Sequence, residues 1–357
     1  MRNFRLNRFL LFVLALASPA LPLIGQVKYS NEFLSLGTGA RLMGMGGAGT
    51  AFVDDVTAGY WNPSRLLLVP GKADIALMHS EYYAGLAKYD YGGFAFKPDQ
   101  RSAIGISLLR FAVDDIPNTL ELIDQEGNIR YDRISTFSTA DLGILASYAR
   151  KTGVPGLNVG GNLKVIYRHT GDFARAWGFG LDVSASYSVK GWELSVMARD
   201  ITGTFNAWSF NEELLQEAFE MTGNEMPGNS LEITVPRILL AGSRLFRLSD
   251  KLSLGAALDV HLTFDGRRHV LLPAGFLGID PYAGAELRYG DWLFVRLGAG
   301  NFQWVPGLSG KNNLTLQPAL GLGIQYKGFF IDYALNGFGD VSLARYSNLL
   351  SLRYCIK

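Results

Sequence analysis

Three glycines, two acidic pairs and four scattered histidines are the places in this sequence where chemistry could be done. Gly44, Gly46 and Gly49 spell G-x-G-x-x-G, the pattern that cradles a dinucleotide pyrophosphate. That reading needs a buried strand before the glycines and a long helix after them, within a βαβ unit. The chain shows no βαβ pattern, so the glycines read instead as places where backbone packs closely on backbone. Asp54-Asp55 and Asp114-Asp115 are paired carboxylates. Acid–base catalysis needs carboxylates spaced across a substrate in different environments. Adjacent ones in glycine-rich stretches read as turn or cap residues. His79, His169, His261 and His269 form no i, i+4 pair and have no cysteine partner, so no metal site is expected. His169 and His269 are assigned to loops, and His261 to a polar strand face. The single cysteine, Cys355, excludes a disulfide framework. No nucleophile–base arrangement is visible, so neither an enzymatic function nor a cofactor is expected.

Aromatic side chains are the other candidates. Phe205, Trp208, Phe210, Phe219, Phe302 and Trp304 are assigned to long loops. There they could line a hydrophobic pocket or form a protein-binding patch. Asn211 to Thr222 (NEELLQEAFEMT) reads as a helix, with Asn211 as cap and Glu212 and Glu213 suited to its positive end. Leu214, Leu215, Ala218, Phe219 and Met221 give it an apolar stripe. The helix either packs on its own loop as a lid or presents that stripe to a partner or ligand.

Most of the chain reads as strands. The 357 residues are 48% hydrophobic and 18% charged, too apolar for a disordered chain. A net charge of +1 gives no footprint for nucleic acid. Arg2, Arg5 and Arg8 precede an apolar run, Phe9 to Ala17, followed by Ser18, Pro19 and Ala20, with a second possible cleavage point near Gly25. This reads as a secretory signal peptide. From Ala73 onward, apolar and polar residues alternate with period two. In Leu157 to Arg168, for example, Leu157, Val159, Leu163, Val165 and Tyr167 oppose Asn158, Asn162, Lys164 and Arg168. About 14 such runs can be counted, each near the length a tilted strand needs to cross a bilayer. Short turns such as KPDQR, VKGW, YGDW and YKGF alternate with long loops near 112–136, 201–231, 264–280 and 301–315. Trp and Tyr crowd the short turns, as at an interfacial girdle. A soluble propeller or sandwich would instead have strands of about 5 residues. The expected fold is all-β: a transmembrane antiparallel barrel in the outer membrane of a Gram-negative bacterium.

Between the signal and the first strand lies a glycine-rich stretch of different character, suited to filling the lumen of so wide a barrel. It contains Phe33-Leu34, Gly39-Ala40-Arg41, Gly44-Met45-Gly46-Gly47-Ala48, Asp54-Asp55 and Trp61-Asn62-Pro63. These motifs resemble the N-terminal hatch of the PorV/PorQ family, barrels akin to the FadL transporters of hydrophobic compounds. Val235-Pro236-Arg237 and Asp332-Tyr333-Ala334 look like the family too. The chain is expected to divide into a signal peptide over 1–25, a hatch or plug over 26–72 and a barrel over 73–357, and the resemblance implies a FadL-like barrel of 14 strands with its N-terminus in the periplasm. It also implies a part in type IX secretion, with loops docking a translocon or secreted proteins that carry C-terminal signal domains. The alternative is a FadL-like transporter, whose partner is a hydrophobic small molecule. On either reading the protein contacts outer-membrane lipids.

Overall fold

The computed structural model describes residues 30–357 apart from 84, 125, 224, 265, 267–269, 276, 307–311 and 338–345. The expected signal peptide and His269 lie outside the described residues. Six strands follow one another as antiparallel neighbours: β1 (Ala73–Tyr82), β2 (Ala87–Phe96), β3 (Ser102–Asn118), β4 (Ser135–Lys151), β5 (Leu157–Thr170) and β6 (Ala174–Val189). The next stave is broken into β7 (Trp192–Arg199) and β8 (Thr204–Phe210), both paired with β6, at a bend where Asp200 and Gly203 take positive φ. Its neighbour is broken into β9 (Ser230–Thr234) and β10 (Arg237–Arg247) at Val235-Pro236, where proline has no N–H for the ladder. β11 (Leu252–Thr263), a short β12 (Leu272–Ala274) and β13 (Leu277–Tyr289) come next. β14 (Leu293–Pro306), β15 (Asn312–Tyr326), β16 (Phe329–Asn336) and β17 (Ser347–Ile356) complete the wall. β17 pairs with β1, Ala73 opposite Ile356, so the wall closes on itself. Each broken stave counts once and β12 only extends the rim beside β13, so the closed antiparallel barrel has 14 strands.

The alternation in sequence becomes an inside-out distribution of side chains. On β5, Val159 and Leu163 are exposed, whereas Asn158, Asn162 and Lys164 are buried. On β6, Trp177, Phe179, Leu181 and Val183 are exposed while Asp182, Ser184 and Ser186 are buried. A water-soluble fold would reverse both sets. An apolar belt this continuous is stable only against hydrocarbon. No described helix is long and apolar enough to cross a membrane. Leu163, near the middle of β5 and 51% exposed, gives a direct check. Leu163→Arg is expected to lower stability in lipid vesicles by about 2–4 kcal/mol in urea unfolding. An unchanged midpoint would contradict a lipid-facing belt.

Trp192, Tyr289, Trp292, Tyr326 and Phe329 are exposed at the short turns. The long-loop end departs from the sequence reading in several places. β3 runs on to Asn118, β8 occupies Thr204–Phe210, and β14 continues to Pro306. Polar residues do not end these strands, because in a barrel every second residue faces a polar interior. Phe205, Trp208, Phe210, Phe302 and Trp304 are thus strand residues rather than loop residues, and His169 lies within β5. Two connections at this end, 83–86 and 171–173, are as short as those opposite.

Candidate functional site

Residues 30–72 run through the barrel interior and are almost entirely buried down to Val69. At the upper, long-loop side, Asn206 Nδ2 donates to Ser30 Oγ and Asn31 Oδ1, and Asn31 Nδ2 donates to Thr234 Oγ1 at 2.8 Å. At the short-turn side, Lys72 N donates to the Ile356 carbonyl at 2.8 Å.

The plug holds its shape through local caps. Asn62 is extended, as a residue before proline must be. Its Oδ1 accepts from Ser64 N and caps the 3-10 turn Pro63–Leu68, while its Nδ2 donates to the Thr50 carbonyl. Trp61, at the end of α2 (Ala58–Trp61), donates from Nε1 to the Thr38 carbonyl, and Tyr60 donates its hydroxyl to the Leu34 carbonyl. Asp55 Oδ1 accepts from Thr57 N at 2.9 Å, the turn role expected of it, whereas Asp114 and Asp115, also read as turn or cap residues, lie within β3. Gly39 precedes α1 (Ala40–Met43), and Gly47 lies beside Tyr282 and Trp61.

The segment Gly44-Met45-Gly46 lies backbone to backbone on the wall. A Cβ on Gly44 would fall 2.8 Å from Gly321 Cα, and one on Gly46 would fall 2.5 Å from Ala299 N. The wall answers with glycines of its own: a Cβ on Gly298 would meet the Met45 carbonyl carbon at 2.1 Å. Gly49 packs against Leu42 and Trp61. The nucleotide-like motif is therefore occupied by protein backbone.

Beneath and beside this contact runs an ionic layer. Arg41, on α1, donates to Asp54, to Asp55 Oδ2 at 3.1 Å and to Glu286 Oε2 at 3.2 Å. Burial alone would raise the Asp54 carboxyl; the Arg41 guanidinium outweighs it and holds the group below its ordinary value. Glu286, on β13, also accepts from Arg296 Nε at 2.6 Å and Arg288 Nε at 2.8 Å. Arg296 reaches Asp332 at 2.7 Å, and Arg353 reaches Asp74, whose other contact is Val56 N of the plug. A cavity with room for about one water lies among Arg41, Asp55, Tyr91, Asp332 and Arg353. Of the wall charges only Asp332 was singled out in sequence, as part of Asp332-Tyr333-Ala334. The available signal was their position on the polar face of otherwise apolar strands.

Toward the long-loop end the interior turns apolar. Phe33 and Leu34 of the plug belong to one apolar cluster with inward-facing Tyr82, Tyr89, Leu109, Leu145, Ile166 and Leu349; Phe111 and Val113 pack against this cluster, which continues down the plug to Leu66 and Val69. Tyr89 stands 6.2 Å from Tyr82 and 6.3 Å from Phe111, ring centre to ring centre. Cations bordering this layer are matched. Arg168 donates to both Asp141 oxygens, at 2.7 and 3.2 Å, and stacks over Trp208; Arg237 faces Asp200 at 3.5 Å.

The aromatic residues singled out in sequence do not form one patch. Trp208 and Phe210 stack with ring centres 6.4 Å apart. Phe205 is exposed and faces Phe179 on the exterior. Phe302 is half-buried on β14, and Trp304 donates to the Leu271 carbonyl at 3.0 Å. Phe219 lies on α3 (Glu212–Thr222), which Asn211 caps as expected, with Leu215 buried and Leu214 exposed.

No family model and no curated protein matches the sequence. Solved structures do match. The toluene transporter TodX of P. putida is 13% identical, aligned over 90% of this chain and 99% of its own, with a TM-score of 0.55. The monoaromatic hydrocarbon channel CymD is 14% identical over 89% and 97%, with a TM-score of 0.54. At such identities the likeness is one of fold: this chain shares the closed antiparallel barrel of TodX and CymD.

Proposed function

We propose that the barrel admits small hydrophobic compounds through the outer membrane and performs no chemistry on them. The observation that carries this is the apolar layer inside the lumen, at a place where a water-filled pore would be lined by polar groups. The shared fold with a toluene transporter and a monoaromatic hydrocarbon channel supports it. A compound entering from the loop end meets Phe111, Tyr89 and Tyr82 and comes to rest against Phe33 and Leu34 of the plug. Passage then requires the plug to shift, because the interior below is packed. Phe111→Glu sets a charge in the apolar layer and is expected to cut uptake about tenfold by desolvating a carboxylate beside the solute. Uptake rates of a labelled aromatic compound by cells with either form check this.

A second reading rests on the packed interior and on Leu214, exposed on the loop helix α3. In it the barrel is a PorV/PorQ-like component of type IX secretion that docks a translocon or secreted proteins through its loops. Native mass spectrometry of protein extracted gently from outer membranes separates the two. Retention of a lipophilic small molecule by the lone barrel supports transport, whereas a stoichiometric protein complex supports docking.

A further inference from the structure

The short-turn end of the barrel carries a set of cations that passage of a hydrophobic compound does not use. Arg101, Lys151, Lys190, Lys251, Lys327 and Lys357 are all exposed there, spread over five turns and the closing β1–β17 seam. Against them stand three exposed turn acids, Asp99, Asp250 and Asp291. At one point two cations of this end come close. Lys97 is held below its ordinary value, first by burial and then by Lys151. They also interleave with the aromatic girdle. Arg244 lies 5.2 Å over Trp192 and 5.3 Å over Phe246, and Lys327 lies 5.1 Å over Tyr326. The described loop helix at the opposite end has the other sign: α3 carries Glu212, Glu213 and Glu220 and no Lys or Arg. A net charge near zero thus conceals a polar molecule.

We propose that this ring binds the phosphate headgroups of anionic phospholipids in the leaflet at the short-turn end. The proposal rests on the reading that the apolar belt faces lipid. A protein docking on that end would favour one contiguous patch. These cations are instead distributed around the perimeter, at the level where stacked aromatics place their stems in the interface and their heads among phosphates. Every stave is bordered by lipid, so a lipid partner can meet cations on all sides at once.

Spin-labelled phosphatidylglycerol and phosphatidylcholine, each in vesicles of the other lipid holding the refolded barrel, test this by electron paramagnetic resonance. The expected result is a motionally restricted first shell in which phosphatidylglycerol is favoured about threefold, the preference fading in about 0.5 M salt. The combined variant Lys151→Gln, Lys190→Gln, Lys251→Gln and Lys327→Gln is expected to lose it. Arg130→Gln with Arg133→Gln, at the opposite end, is expected to keep it. Retained heat-modifiable migration on gels shows that each variant still forms a barrel. A restricted shell with equal amounts of both lipids would overturn the proposal and point to an acidic protein partner instead. Absence of any restricted shell would overturn the lipid-facing belt along with it.

Discussion

Arg41→Met is expected to destabilise the protein by about 3–5 kcal/mol and to loosen the plug. Arg41 holds Asp54 and Asp55 of the plug and Glu286 of β13 together. Glu286 keeps Arg288 and Arg296 after the substitution, but Asp55, 3% exposed, keeps no counter-charge among these contacts. Removing one member of a buried ionic cluster costs far more than the cluster contributes, because the orphaned charge stays in a low-dielectric site. Asp54 is partly exposed and adds little, so the loss is carried by Asp55. Asp55→Asn in the same chain is therefore expected to restore a large part of it, since the amide oxygen still accepts from Thr57 N. Denaturant unfolding of the single and double variants measures both effects.

Gly298→Val is expected to cost about 1–3 kcal/mol or more and to open the lumen to ions in planar bilayers. Any Cβ at this position would lie 2.1 Å from the Met45 carbonyl carbon and 2.5 Å from Gly46 N. Both are backbone atoms of the plug, which have no rotamer by which to yield. The plug must move off the wall or the wall must distort. Gly153→Ala, in a turn with nothing within 4 Å of the added carbon, is the control and is expected to change stability by less than about 0.5 kcal/mol. Ion conductance in the valine variant with a closed wild type would show that the glycine contact seats the plug. Equal silence in both would show that the seat tolerates a side chain.

Much of the barrel was legible because period-two alternation is a local property. Leu163 faces lipid and Asn162 the lumen by the same count that can be made on paper. The limits of the strands were less legible. Thr204–Phe210 follows a bend at Asp200–Gly203 whose residues read as the start of a loop, and its Trp208 and Phe210 read as loop aromatics. In the barrel the bend is an interruption of one stave, and the ladder resumes on β6. The site was least legible of all. Arg41 and Glu286 lie 245 residues apart in the chain, and only closure of the barrel around the plug makes them neighbours. Gly44 and Gly46 were visible as unusual. Their counterparts Gly298 and Gly321 sit in strands, in Gly298-Ala299-Gly300 and Gly321-Leu322-Gly323, where glycine has no distinguishing feature until the backbone opposite is seen.

Passage of hydrophobic compounds through the plugged barrel is measured by uptake in intact Gram-negative cells, whose glycolipid outer leaflet retards apolar solutes. Cells producing the wild-type protein are expected to take up a labelled apolar aromatic compound faster than cells without it. Phe111→Glu is expected to bring the rate back toward that background, with uptake of a hydrophilic sugar unchanged throughout. Equal uptake of the aromatic compound with and without the protein, at matched levels of folded barrel in the membrane, would contradict such passage.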